Sequence, residues 1–447
     1  MYAVFHKQQM MAMFFVVLAW VSSAIAAGPN FVFIMADDLG WGDVGFHDGQ
    51  TPTPHLDQLA GESLQLEQHY VAPVCSPTRT GLLTGRYWSR FGITTPNNNR
   101  ALPWNTVTLP RALKSKGYET CLVGKWHLGS TPAWGPNHFG FDHSYGSLAG
   151  GVTAWRHRYK EGPFTSTWHR NEELIEEHGH VTDLLTNEAV NWIDSRDARQ
   201  PFFLYVPFTA VHLPVNEPDE WLHRVPEEIT SEIARQYSAC VMHLDDAVGQ
   251  IVAALDKKNL RENTLIVFTS DNGGSTATNN TQPYPPDNSP AGKLTASNGR
   301  FRGEKGSVYE GGTCVPTIVS WPGKIAAGVN RTPVCIVDWM PTFCSLVELT
   351  SKQDLHWDGV DLASLLLEGQ PLGDREIYIA GPNWRQVSLR WGAWKLVSDP
   401  QDGHELFNIE DDPFEKVDVA QVNPGRLRQM LLRLDEVRRQ DRDSQVE

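Results

Sequence analysis

A chain of 447 residues with 40% hydrophobic and 20% charged residues has the composition of a globular protein, which excludes a disordered chain, a collagen and a coiled coil. Thirty-eight Lys and Arg against 53 Asp and Glu leave a net charge of −15, a balance that argues against nucleic acid or anionic lipid as the partner. An anionic substrate would have to meet a few converging cations or a metal.

Residues 1–27 read as a signal peptide: Lys7, an apolar run over 10–21, then Ala24-Ile25-Ala26 as a cleavage site. The mature chain is therefore expected to be secreted or periplasmic (lysosomal in a eukaryote), with no membrane span after cleavage. Residues 30–35 form a short apolar run, read as a buried strand that ends in Asp37-Asp38. Residues 54–66 have helical spacing after Thr53, and 109–116 predict a second helix before a strand at 119–123. The stretch 181–195 reads as a helix, 202–208 as a strand, 233–255 as one long amphipathic helix and 264–270 as a strand that ends in Asp271-Asn272. Helices alternating with continuous apolar strands predict a largely parallel sheet covered on both faces, with ligands at the carboxyl ends of the strands. Two segments break the rhythm. Residues 145–179 are loop-like and rich in Trp, Arg and His; Trp155, Arg156, His157, Arg158, Trp168 and His169 are candidate subsite residues there. Residues 273–299 are dense in Asn, Thr, Ser, Pro and Gly, either a wall of the site or a surface loop. Beyond residue 370 the pattern becomes short strands (376–380, 385–390, 393–397, 405–408) and a basic helix at 425–439. This divides the chain into a leader, a main α/β domain over 28–370 and a small α+β domain over 371–447.

Six cysteines, at 75, 121, 240, 314, 335 and 344, include no CxxC and no dense framework. Pairing among Cys314, Cys335 and Cys344 stays open, and most are expected as buried thiols. Asp37, Asp38 and Asp271 with Asn272 make a set of hard oxygens at two strand ends, which suits Ca²⁺ or Mg²⁺ rather than zinc. Cys75 differs from the other cysteines: it stands where a helix could begin, with Arg79 one turn on, and both features favour an oxyanion.

The run Cys75-Ser76-Pro77-Thr78-Arg79 through Thr84-Gly85-Arg86 resembles the signature of the formylglycine-dependent (type I) sulfatases, with Thr78 where Ser or Ala is usual. Gly124-Lys125-Trp126-His127-Leu128-Gly129, His212-Leu213-Pro214, Arg302-Gly303-Glu304-Lys305 with Glu310-Gly311-Gly312, and the tail from Glu405 to Glu415 resemble further blocks of that family in order. The nearest branch is that of the arylsulfatases and N-acetylgalactosamine sulfatases. The resemblance implies an alkaline-phosphatase-like α/β fold and hydrolysis of sulfate esters of carbohydrates and aryl alcohols. It implies that Cys75 becomes 3-oxoalanine (formylglycine) through a formylglycine-generating, sulfatase-maturating enzyme. Asp37, Asp38, Asp271, Asn272 and modified Cys75 would hold Ca²⁺ or Mg²⁺. Arg79 and Lys125 would orient the nucleophile, Lys125, Lys305 and His212 would contact sulfate, and His212 or Lys305 would protonate the leaving oxygen. His127 would take the proton that releases sulfate, with Arg302 binding substrate; Trp155 and Arg156, from the irregular segment rather than from a family block, are the further candidates for substrate binding. Two other readings remain at this point: a phosphomonoester or phosphonate hydrolase of the same superfamily, and a non-catalytic glycan-binding homologue.

Overall fold

A computed structural model describes residues 28–280, 283–349 and 355–446. The leader at 1–27 lies outside the described residues. The central sheet has ten strands, numbered here in chain order: β1 (Asn30–Ala36), β2 (Leu64–Leu66), β3 (Glu119–Lys125), β4 (His143–Ser147), β5 (Trp168–Arg170), β6 (Glu173–Leu174), β7 (Phe202–Pro207), β8 (Thr264–Ser270), β9 (Ile318–Ser320) and β10 (Gly328–Asn330). Their spatial order is β10-β2-β9-β8-β1-β7-β3-β4-β5-β6. The five middle strands, β8 to β4, run parallel, while β9, β5 and β6 pair antiparallel at the two flanks.

Alternate residues of the parallel strands feed two cores, which explains why these strands read as continuous apolar runs. Phe31, Phe33, Leu122, Phe203, Tyr205, Leu265 and Val267 point to one face. Val32, Ile34, Val123, Leu204, Val206, Ile266 and Phe268 point to the other. The second core is closed by helices Pro54–Gly61, Val181–Asp194 and the 26-residue Glu232–Lys257, whose Tyr237, Val241, Leu244, Val248, Ile251 and Leu255 form its buried stripe. The first core takes helices Cys75–Thr84, Leu109–Lys114 and Trp339–Leu346.

A small antiparallel domain follows: β11 (Glu376–Ala380), β12 (Val387–Trp391), β13 (Trp394–Asp399) and β14 (Gly403–Asn408) in sequential order, with helix Pro424–Arg438. Its Leu389, Leu396 and Phe407 are continuous with the first core.

Two expectations need correction. The helix read over 54–66 ends at Gly61, and Leu64–Leu66 form a strand instead. Leu56 and Leu59 satisfy a helical period, but Leu64-Gln65-Leu66 also satisfy a period of two, and pairing with Ile318 and Val319 decides. The 145–179 segment is only partly loop, since β5 and β6 extend the sheet through it. All six cysteines are buried and unbridged, Cys314, Cys335 and Cys344 included. No described helix is long and apolar enough to cross a membrane.

Candidate active site

The ends of β8 and β1 lie side by side, and that of β3 lies one strand further on beyond β7, because all four strands run parallel in one layer. Asp37-Asp38, Lys125 and Asp271-Asn272 therefore meet at one crest, although 234 residues separate Asp38 from Asn272. The chain can pack this closely at the crest because Gly124 has no side chain: with φ at +140°, an added Cβ would lie 2.0 Å from the Pro207 carbonyl oxygen.

All four oxygen donors are fully or almost fully buried. The Lys125 Nζ lies 2.5 Å from Asp37 Oδ2, and the Arg79 guanidinium donates to Asp271 Oδ2 at 2.7 Å. The Lys305 Nζ lies 2.6 Å from Asp38 Oδ1, and Asn272 Nδ2 donates to the same carboxylate at 2.8 Å. Burial and the neighbouring Asp271 charge push Asp37 well above the ordinary carboxylate range, against the opposing pull of Lys125. Asp38 goes the other way: burial would raise it, but Lys305 and His212 outweigh that and hold it low. Two inward oxygens, Asp37 Oδ1 and Asn272 Oδ1, are buried without a hydrogen-bond partner. Such orphans are costly unless something completes them. Ligand atoms from Asp37, Cys75 and Asp271 fall within 4.8 Å of one another, as do those of Asp37, Asp38 and His212. Carboxylate and amide oxygens at this spacing fit a hard divalent cation.

Cys75 is the first residue of helix Cys75–Thr84 and is 2% exposed. Burial pushes its thiol up, with Lys125 and Lys305 pulling the other way, so as a plain thiol it is a poor nucleophile despite the helix end. Two residues inside the signature tie this helix to the crest. The Thr78 hydroxyl donates to the Asp271 carbonyl at 2.6 Å, and the Ser76 hydroxyl donates to the His127 carbonyl at 2.9 Å. Arg79 also donates to the Lys125 carbonyl at 2.7 Å. Thr78 thus supports the site through its hydroxyl.

His127 and His212 face the same cavity of about 260 Å³, together with Asp38, Cys75, Gly150, Tyr159, Lys160, Tyr284 and Lys305. Burial, then the Lys125 and Arg79 charges, pull His127 well below its usual value. Burial and Lys305 do the same to His212. Both shifts favour the neutral ring. The His212 Nδ1 lies 2.5 Å from the Leu213 carbonyl, which can only accept, so Nδ1 carries the proton and Nε2 turns a lone pair toward the pocket. The His127 ring packs on Gly150, where an added Cβ would lie 2.4 Å from Nε2.

The other expected residues divide. Both irregular segments line the cavity, through Gly150, Tyr159 and Lys160 from one and Ser275, Ala277 and Tyr284 from the other. Trp155 and Arg156 are exposed beside a separate cavity of about 490 Å³. Arg158 also lines that cavity and pairs with Glu176. Trp168 and His157 are buried and stacked on each other but also line that cavity, and the His169 ring lies 2.8 Å from the Gly146 carbonyl. Arg302 is not in the site. Its guanidinium donates to Glu405 Oε1 at 3.0 Å and lies over the Tyr309 ring, against the C-terminal sheet.

A second histidine cluster sits under Trp155. The His243 Nδ1 lies 2.8 Å from Glu217 and its Nε2 lies 3.0 Å from Asp183; both carboxylates accept, so the ring is held with a proton on each nitrogen. Burial would lower His243, but these partners raise it to about 9; His180 faces it across a stacked contact and Cys240 lies on the same helix, beside Glu217. A raised histidine stabilises the fold fully below about pH 6.5 and loses that contribution as pH climbs through about 9, an effect of about 3 kcal/mol at most. Thermal unfolding measured from pH 6 to 10 should show a steeper alkaline decline in the native protein than in His243→Gln; parallel curves would refute the ion triad.

The arrangement matches known proteins. The profile of the family described as Sulfatase matches residues 29–349. Mouse arylsulfatase J is 32% identical, covering 91% of this chain and 75% of its own length. Human N-acetylgalactosamine-6-sulfatase is 33% identical, covering 78% and 68%. The crystal structure of Ps i-CgsB in complex with k-i-k-neocarrahexaose superposes with a TM-score of 0.83 at 31% identity, covering 93% of both chains. With a family match that spans most of the chain, and with its blocks gathered on one crest around Cys75, the protein belongs to the sulfatase family and is a sulfuric ester hydrolase.

Proposed function

We propose that the chain removes sulfate from sulfated carbohydrates, and also from aryl sulfates, at a Cys75 that a formylglycine-generating enzyme has converted to formylglycine. The observation that carries this reading is the crest itself: three carboxylates and an amide with two orphaned oxygens, beside a buried cysteine and three cations. Mouse arylsulfatase J and the Ps i-CgsB complex, whose ligand is an oligosaccharide, support the substrate class.

Asp37, Asp38, Asp271 and Asn272, with residue 75, would hold a Ca²⁺ or Mg²⁺ ion. When bound, that ion supplies Lewis-acid polarisation of a sulfuryl oxygen and favours an ionised nucleophile. Formylglycine supplies, as its hydrate, a hydroxyl nucleophile that a buried thiol is not. Arg79 and Lys125 hold that residue from two sides. Lys125 and Lys305 face the sulfuryl oxygens as preorganised donors. Lys305 brings a proton toward the leaving oxygen; His212, its Nδ1 tied to Leu213, faces the pocket with an accepting Nε2 and so orients a hydroxyl donor of the substrate rather than the leaving oxygen. His127, neutral and set by the Ser76 contact, accepts a proton from residue 75 and so lets sulfate depart. Clustering cations on one crest also explains how a chain of charge −15 binds an anion. The protein would work outside the cytoplasm after removal of residues 1–27.

The test uses protein co-expressed with the maturating enzyme, assayed on 4-nitrophenyl sulfate, phosphate and phenylphosphonate in parallel. Sulfate release alone, abolished by chelator and restored by Ca²⁺ or Mg²⁺, is expected. Faster cleavage of the phosphate or phosphonate would replace this reading with the phosphorus-ester hydrolase, and no cleavage at all with the glycan-binding homologue.

A further inference from the structure

The reaction chemistry accounts for Lys125 and Lys305, each paired with a carboxylate of the crest. It does not account for Lys160. This lysine lines the same cavity, yet no described carboxylate pairs with it. Its ammonium group stands over two aromatic faces instead, 5.7 Å from the Tyr159 ring centroid and 5.8 Å from that of Tyr284. The two rings meet edge to face at 5.9 Å and 89°. Aromatic faces stabilise a cation by only about 0.5–2 kcal/mol, so the charge is held in place but not neutralised. Burial, then the nearby Lys305 charge, lowers Lys160 from its usual value, the signature of a cation short of an anion.

A second side chain points the same way. Tyr284 is 8% exposed and lines the cavity, and its hydroxyl is buried with no hydrogen-bond partner among the described residues. It lies by Gly151, where an added Cβ would come 2.8 Å from that hydroxyl and 3.1 Å from His212 Nδ1, so the orphan adjoins the reacting end. Lys160 and Tyr284 come from the two different irregular segments. A backbone hydrogen bond from Glu161 N to the Pro283 carbonyl, 2.8 Å, fastens those segments together beside them. The cavity, about 260 Å³, exceeds what one sulfate group fills.

We propose that Lys160 and Tyr284 form a second anion subsite, which takes a second sulfate carried by the substrate beside the ester being cleaved. The preferred substrates are then carbohydrates with at least two sulfate groups. This rests on the sulfatase reading of the crest and adds the substrate's charge pattern to it.

The test measures sulfate release by ion chromatography from a hexose monosulfate and from the disulfate of the same hexose, with 4-nitrophenyl sulfate as a control for turnover. Wild-type protein should favour the disulfate in kcat/KM by about tenfold, the worth of one charge-assisted contact. Lys160→Met should bring that ratio close to one, with the loss in KM rather than kcat, and Lys160→Arg should restore most of it. Tyr284→Phe should lower the ratio a few-fold. Equal use of both sugars by the wild type, or an unchanged ratio in Lys160→Met, would overturn the subsite while leaving the sulfatase reading intact. Absence of turnover on the aryl sulfate would sink that reading, and the subsite with it.

Discussion

Cys75→Ala is expected to lose sulfatase turnover entirely, by four orders of magnitude or more, with an unchanged melting temperature. The residue is small, 2% exposed and packed at a helix start, and Ala fills nearly the same space without straining that helix. On the proposed reading, the rate loss follows from removing the residue whose hydrate would attack sulfur: the surrounding cations can still bind the anion, but a covalent route with no nucleophile is closed. Initial rates on 4-nitrophenyl sulfate and a thermal melt decide the matter. Near-native turnover in the variant would show that some other group attacks. Loss of activity together with loss of fold would mean the cysteine matters for packing.

The largest expected effect on stability lies on the opposite side of the Lys305 loop. Lys395 of β13 is fully buried, 2.7 Å from Glu310 and 2.9 Å from Glu415. Glu415 Oε2 in turn accepts from the Glu310 backbone N–H at 2.7 Å, and Tyr70 donates to Glu310 at 2.8 Å. Burial raises Glu415, and Lys395 opposes that rise. Lys395→Ala leaves two carboxylates buried against each other without the ammonium that bridges them, so a loss of about 3–5 kcal/mol is expected from chemical unfolding. Activity should fall as well, because Glu310 closes the same loop that presents Lys305. A loss under about 1 kcal/mol would mean that water reaches the pair. Lys395→Met with both glutamates changed to Gln should recover stability, since it removes the uncompensated charge rather than the packing.

The residues that meet on the crest were legible in the sequence because each stands directly after a strand or in a motif of fixed spacing. Asp37-Asp38 and Asp271-Asn272 follow apolar runs whose parallel pairing is nearly forced. Supporting contacts were less visible. Nothing in the order of residues says that the Thr78 hydroxyl reaches the Asp271 carbonyl, 193 positions away, or that Lys160 meets Tyr284; loops with no period give no register from which such contacts could be inferred. Arg302 misled for the same reason. It belongs to a block rich in site residues, but the turn at Gly303 carries its side chain outward to Glu405 while Lys305 turns inward to Asp38. Residues 64–66 show the limit of periodicity over three positions, where only a partner strand distinguishes helix from sheet.

The Glu161–Pro283 link has a practical side. The aromatic shelf that bears Lys160 is built from two stretches more than a hundred residues apart in the chain, and each supplies one half. Grafting either stretch from a relative with other tastes would leave the half-shelf without its mate. Retargeting this enzyme to a new polysaccharide therefore calls for transplanting both together, with the strand crest beneath left as it is.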